Sequence, residues 1–123
     1  MSPLSLLLTW LLLPSTPVVV SQASIDPVSL ARHLQKIDAK MYGAFWCPHC
    51  TRQKELFGAT GGELINYIEC DPRGSNPQPQ LCRRANIQAY PTWEIHGKQF
   101  QGTRSLEELA RLSNFRPPAS PEQ

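Results

Sequence analysis

The most constraining feature of this sequence is a pair of cysteines two residues apart, placed where one kind of local structure gives way to another. Residues 39–45 form a short apolar run fit for a buried strand. The run ends at Trp46-Cys47-Pro48-His49-Cys50, and residues 51–57 read as helix. The first turn of a helix has free N–H groups and a positive dipole end, and both stabilise a thiolate. Cys47 is therefore expected at the helix cap with its sulfur over those donors, and with a pKa below the ~8.5 of a free thiol. Cys50, one turn further in, is expected to be less exposed and to keep a more ordinary pKa. Such a pair holds an attacker and a resolver, the two parts that disulfide exchange needs. Pro48 suits the first helical turn, where no amide hydrogen is missed. His49, as an imidazolium, would add positive charge beside Cys47. That would stabilise the reduced form and make the disulfide a stronger oxidant.

The same sulfurs have other uses. With Cys70 and Cys82 the spacing is C-x2-C-x19-C-x11-C. This lacks the second close pair of a structural zinc site, which speaks against zinc. A zinc or copper carrier and a redox-inert module held by two disulfides are the alternatives from other classes. No metal site and no cofactor is expected. Twelve Lys+Arg against ten Asp+Glu give a net charge of only +2, so nucleic acid is not an expected partner.

The N-terminus bears on the redox compartment. The first charged side chain is Asp26. Residues 4–13 are almost wholly apolar, but as a helix they would reach only about 15 Å, half of a ~30 Å hydrocarbon core. Pro14 and Pro17 interrupt any extension to Val20. Ser21-Gln22-Ala23 offers small residues for a cut after Ala23, although Met1-Ser2-Pro3 lacks the usual basic start. Residues 1–23 thus read as a signal peptide or an N-terminal membrane anchor. Export, to a periplasm or a thylakoid lumen, would place the rest in an oxidising compartment where cysteines pair. Cys70 and Cys82 are then expected to act together, as a structural staple or as a second redox pair serving Cys47 and Cys50. Closing a loop of about 13 residues is worth roughly 3 kcal/mol, enough to justify a staple.

Residues 24–115 are enough for one domain and too few for two. Asp26-Pro27 reads as a helix cap, with Leu30, Leu34 and Ile37 at helical spacing. Gly58, Gly61 and Gly62 are expected to end the helix that follows the cysteines. Residues 65–69 alternate as a second strand, residues 71–78 read as loop, and residues 79–85 as a short helix. Residues 92–95 and 99–101 flank His96-Gly97-Lys98 as a hairpin. Ser105-Leu106-Glu107-Glu108 is a capping box opening a last helix. Residues 116–123 hold three prolines and read as a disordered tail. Strand, helix and strand imply a parallel pair, and the hairpin adds antiparallel strands. The fold class is α/β, a mixed central sheet flanked by helices. Trp93 and Phe100 are assigned to the core, and His33 and His96 to solvent. Trp46 is either an apolar rim facing substrate or a packing residue.

Over about residues 28–114 the chain resembles thioredoxin-fold proteins. The resemblance rests on Phe45-Trp46-Cys47-Pro48-His49-Cys50, Tyr90-Pro91-Thr92 and Gly102 before the last helix. More narrowly it is similar to the thioredoxin-like domain fused to bacterial, notably cyanobacterial, vitamin K epoxide reductase homologues. Residues 41–50, 53–58, 67–70, 90–95 and 105–110 carry that closer match. The resemblance implies a cis Pro91 facing Cys47 and Cys50, with the Tyr90 backbone open to an extended substrate. It also implies a quinone-linked membrane partner of the vitamin K epoxide reductase type. The expected activity is disulfide exchange with client proteins having cysteine pairs, by a chain acting as a monomer. A reductase of the cytochrome c maturation type is the alternative within the fold. One departure stands out. Thioredoxins carry a buried acid six residues before the first active cysteine, and here that position is Met41. Glu69 and Glu55 are the candidates to replace it.

Overall fold

The computed structural model describes residues 11–16 and 24–118. The reading of residues 1–23 falls mostly outside them; residues 11–16 have no regular structure. Among the described residues, no helix is long and apolar enough to cross a membrane. Residues 116–118 carry no regular structure, and the rest of the C-terminal tail lies outside the described residues.

Pro27–Lys36 forms α1, with Pro27 in the first turn and the Asp26 carboxylate accepting from the Ser29 amide at 2.9 Å. Lys40–Gly43 forms β1, Pro48–Leu56 forms α2, Gly58–Leu64 forms α3 and Asn66–Glu69 forms β2. Pro79–Arg84 (α4), Thr92–Ile95 (β3), Lys98–Gln101 (β4) and Leu106–Leu112 (α5) complete the domain. The sheet order is β2-β1-β3-β4, with β1 parallel to β2 and antiparallel to β3, and β3 antiparallel to β4. The mixed sheet is thus the expected one. The β3–β4 turn is the two residues His96 and Gly97, both at positive φ (50° and 76°), so Lys98 already belongs to β4.

One element was not expected. The glycines at 61 and 62 do not end a helix; they lie inside α3. Gly58, at φ 72°, turns the chain from α2 into α3. A Cβ on Gly61 would sit 3.1 Å from Phe57 Cβ and 3.4 Å from the Pro27 carbonyl oxygen. These glycines therefore let α3 approach its neighbours closely, which offsets their poor helix propensity.

The sheet has two unequal faces. Met41, Trp93 and Ile95 join Leu30, Leu34, Phe57 and Leu109 in the larger core, beneath α1, α2, α3 and α5. Tyr42 and Ile68 point the other way, into a smaller cluster with Cys70, Cys82 and residues of α4. Trp93 is fully buried and Phe100 partly so, packed against the larger core. His33 is not simply solvated: its Nε2 donates to the Ser113 carbonyl at 2.8 Å, and its ring tilts against Phe115. This ties α1 to the end of α5. His96 is exposed.

Candidate functional site

The alternation of β1 decides where the two sulfurs can sit. Met41 and Gly43 face α2, and the chain leaves the strand through Ala44, Phe45 and Trp46 before α2 begins at Pro48. Cys47 is the N-cap residue of α2, as expected, but its sulfur makes no capping hydrogen bond to the helix amides. Cys47 Sγ instead lies 3.7 Å from the Tyr90 carbonyl oxygen. The Tyr90–Pro91 peptide is cis. The two cysteines are free thiols in this structure, Cys47 6% and Cys50 2% exposed.

Cys50 departs from its expected ordinary acidity. Burial pushes its thiol up to about 12, against a smaller opposing effect from a hydrogen bond with the Ala44 backbone. The reason is position: Cys50 lies against β1, where a Cβ added to Gly43 would come 2.7 Å from its sulfur. A methyl group could not stand there, so Gly43 makes room for Cys50.

Around Cys47 the surface is aromatic. Phe45 is 53% and Trp46 55% exposed, so Trp46 is on the rim and not in the core. It is nevertheless held. Trp46 Nε1 donates to Asp71 Oδ2 at 2.7 Å, and its ring meets Tyr90 edge-on at 6.0 Å. Asp71 is itself gripped by Arg73 through the Nη2 bond at 2.8 Å, and by the Arg73 amide. Those bonds, with Arg73's first and Trp46's next, hold its carboxyl well below the usual carboxylate range. Pro48 and His49 are exposed at the start of α2. The His49 carbonyl accepts from Thr103 Oγ1 at 3.2 Å.

Cys70 and Cys82 form a disulfide joining the end of β2 to α4, with Cα atoms 5.7 Å apart. Bonded to each other, they offer no thiolates to a four-cysteine metal site with Cys47 and Cys50. Together with Pro72, Arg83, Ile87 and Tyr90 they line a hollow of about 350 Å³.

Two side chains at the base of α2 gave no signal as site residues. Gln53 is fully buried, one turn beyond Cys50. Its Oε1 accepts from Trp93 Nε1 at 3.0 Å and from the Arg104 amide at 2.8 Å, while its Nε2 donates to the Arg104 carbonyl at 3.0 Å. Lys54 lies with Nζ 3.3 Å from the centroid of the Tyr67 ring, and burial pushes its pKa down. The spacing Cys50-Gln53-Phe57 is the helical pattern that could have found Gln53. Of the two glutamates, Glu55 is exposed and Glu69 is buried on β2. Met41 is fully buried.

No family model matches the chain. The chain is 43% identical over 100 residues to thiol-disulfide oxidoreductase LTO1 of Arabidopsis thaliana. That alignment takes in 79% of this chain and 27% of the relative, so the kinship concerns a domain and not the relative's whole length. Its span and the α/β architecture agree: the chain belongs to the thioredoxin-like thiol–disulfide oxidoreductases.

Proposed function

We propose that the chain is an exported thiol–disulfide oxidoreductase working in the oxidising direction through Cys47 and Cys50. The observation that carries this reading is the placement of Cys47 at the first turn of α2. Its sulfur faces the Tyr90 carbonyl, and the Phe45–Trp46 rim lies beside it. A client cysteine thiolate attacks Cys47 Sγ of the oxidised pair. A mixed disulfide forms, the Cys47–Cys50 bond breaks, and Cys50 leaves with the electron pair and takes up a proton. A second client thiolate then displaces Cys47, so the client gains a disulfide and the chain two electrons. Tyr90, Pro91 and Trp46 form the surface for the client segment. Pro48 and His49 occupy the exposed first turn of α2 directly after Cys47.

A membrane enzyme of the vitamin K epoxide reductase type restores the disulfide. Cys47 attacks that partner, Cys50 closes the bond, and the electrons pass on to a quinone. Equilibration of the purified chain with glutathione buffers tests the direction. A midpoint well above the roughly −270 mV of thioredoxin is expected. A midpoint at that value would make the chain a reductase. A Cys50→Ser variant, expressed with its own leader, should accumulate mixed disulfides at Cys47 with clients and with a membrane protein in an oxidising compartment.

A further inference from the structure

Burial that pushes the Cys50 thiol up to about 12 keeps it almost wholly protonated at neutral pH, which works against a prompt attack on a mixed disulfide. A proton acceptor near Cys50 would remove this obstacle. Glu55 is exposed, and Met41 has no ionisable group. Register puts Tyr67 opposite Met41 and Glu69 opposite Gly43, both on the face of the sheet that carries α2. The bare backbone of Gly43 lets Cys50 and Tyr67 close over it: a Cβ there would meet Cys50 Sγ at 2.7 Å, the Tyr67 ring at 2.9 Å and the Tyr67 hydroxyl at 3.4 Å, so the sulfur and the phenol are neighbours across this position. The Tyr67 hydroxyl in turn donates to Glu69 Oε1 at 3.3 Å.

Glu69 is a carboxylate only 3% exposed, its Oε2 accepting from the Asp71 amide at 3.1 Å. Gly74 of the disulfide loop packs onto it. Among the described residues no Lys or Arg forms an ion pair with it. The titratable groups near Cys50 are Cys47 and Lys54 from α2, Tyr67 from β2 and Tyr90 beside Cys47, with Glu69 bonded to Tyr67. Lys54 covers the Tyr67 ring and supplies the positive charge nearest to both.

We infer that Tyr67 and Glu69 form the proton path of Cys50, an inference that rests on the proposed exchange at Cys47. When Cys50 attacks the sulfur of Cys47 in a mixed disulfide, its proton passes to the Tyr67 oxygen while the phenolic proton passes to Glu69. The Cys47–Cys50 bond forms, and the other thiolate leaves with its electron pair. In client oxidation the same path runs backwards, and Glu69 returns the proton to the departing Cys50.

The reduced full-length chain, mixed with excess of an aromatic disulfide reagent, separates the two steps. Attack by Cys47 releases one coloured thiolate, and closure by Cys50 releases the second. Tyr67→Phe and Glu69→Gln should leave the first release unchanged and slow the second at least tenfold at pH 7. In both variants the second rate should climb about tenfold per pH unit and converge on wild type in alkali. Lys54→Met, which keeps the cover over the ring, should slow the second release by a smaller factor. A second release within twofold of wild type in both variants would overturn the relay. So would equal slowing of both releases, which marks a merely structural effect. Absence of a rapid first release in the wild type would instead overturn the exchange reaction itself.

Discussion

Replacing Gln53 by Leu removes no bulk from the core and no charge, yet it should be among the costliest changes near the cysteines. Three groups lose their partner: Trp93 Nε1–H, the Arg104 amide and the Arg104 carbonyl. Trp93 is fully buried, so its donor cannot turn to water, and that alone is worth about 1–3 kcal/mol. The Arg104 groups lie at a partly exposed loop and can be rehydrated, adding about 1 kcal/mol. The expected loss is about 2–4 kcal/mol, a large share of the roughly 5–15 kcal/mol of a small domain. At about 2 kcal/mol per molar urea, the unfolding midpoint should fall by about 1–2 M. The assay is equilibrium urea unfolding of the full chain with the Cys70–Cys82 bond intact. Trp93→Phe supplies the second corner of a double-mutant cycle, because in that background Gln53→Leu no longer strands an indole. A loss below about 0.5 kcal/mol, or a cost for Gln53→Leu that is the same in both backgrounds, would refute this account of the anchor.

Gly43→Ala should destabilise the chain by about 1–3 kcal/mol, read by thermal or urea unfolding, because the new methyl meets Cys50 Sγ and Tyr67. Replacing Cys70 and Cys82 together by Ser should cost about 3 kcal/mol of unfolding free energy; an unchanged glutathione midpoint in that variant makes the bond a staple, and a shifted one a relay. Alkylation of Cys47→Ser at pH 8 should label Cys50 far more slowly than alkylation of Cys50→Ser labels Cys47, since burial keeps Cys50 protonated. Asp71 has a folded pKa below its unfolded ~3.9, so its contribution to stability is complete above that pH and fades as pH falls below it. The gap in unfolding midpoint between wild type and Asp71→Asn should accordingly be constant from pH 7 to about 5 and narrow in stronger acid.

Features written in a few adjacent residues were legible from the sequence. The Asp26 and Ser105 caps, the His96-Gly97 turn and the strand before Cys47 depend on local chemistry, and each is where its residues place it. Ser105 accepts from the Glu108 amide, though Glu108 turns its carboxylate to Arg104 and so completes only half of the capping box. What could not be read depends on partners distant in the chain. The glycines of α3 look like helix stops until Pro27 and Phe57 are placed against them. His33 looks like a surface residue until Ser113, eighty positions away, arrives beside it. The cap position of Cys47 follows from the Pro48 turn, but the direction of its sulfur is set by the Tyr90 loop. Cys50 was expected inside, and only the bare backbone of Gly43 explains how far inside it lies. Glu69 and Glu55 were equal candidates for the missing acid, and only the placement of β2 and α2 shows Glu69 buried and Glu55 exposed.

Asp71 directly follows Cys70, and its carboxylate holds the indole of Trp46. The cross-link and the aromatic lip next to Cys47 are therefore mechanically joined. Opening the Cys70–Cys82 bond would remove one of the restraints on the segment that aims Asp71, leaving Arg73 and Glu69 to hold it, and would so loosen the tether of Trp46 without any change at Cys47 or Cys50. A molecule stranded in reducing surroundings would keep both working sulfurs but lose the shape of the edge beside them.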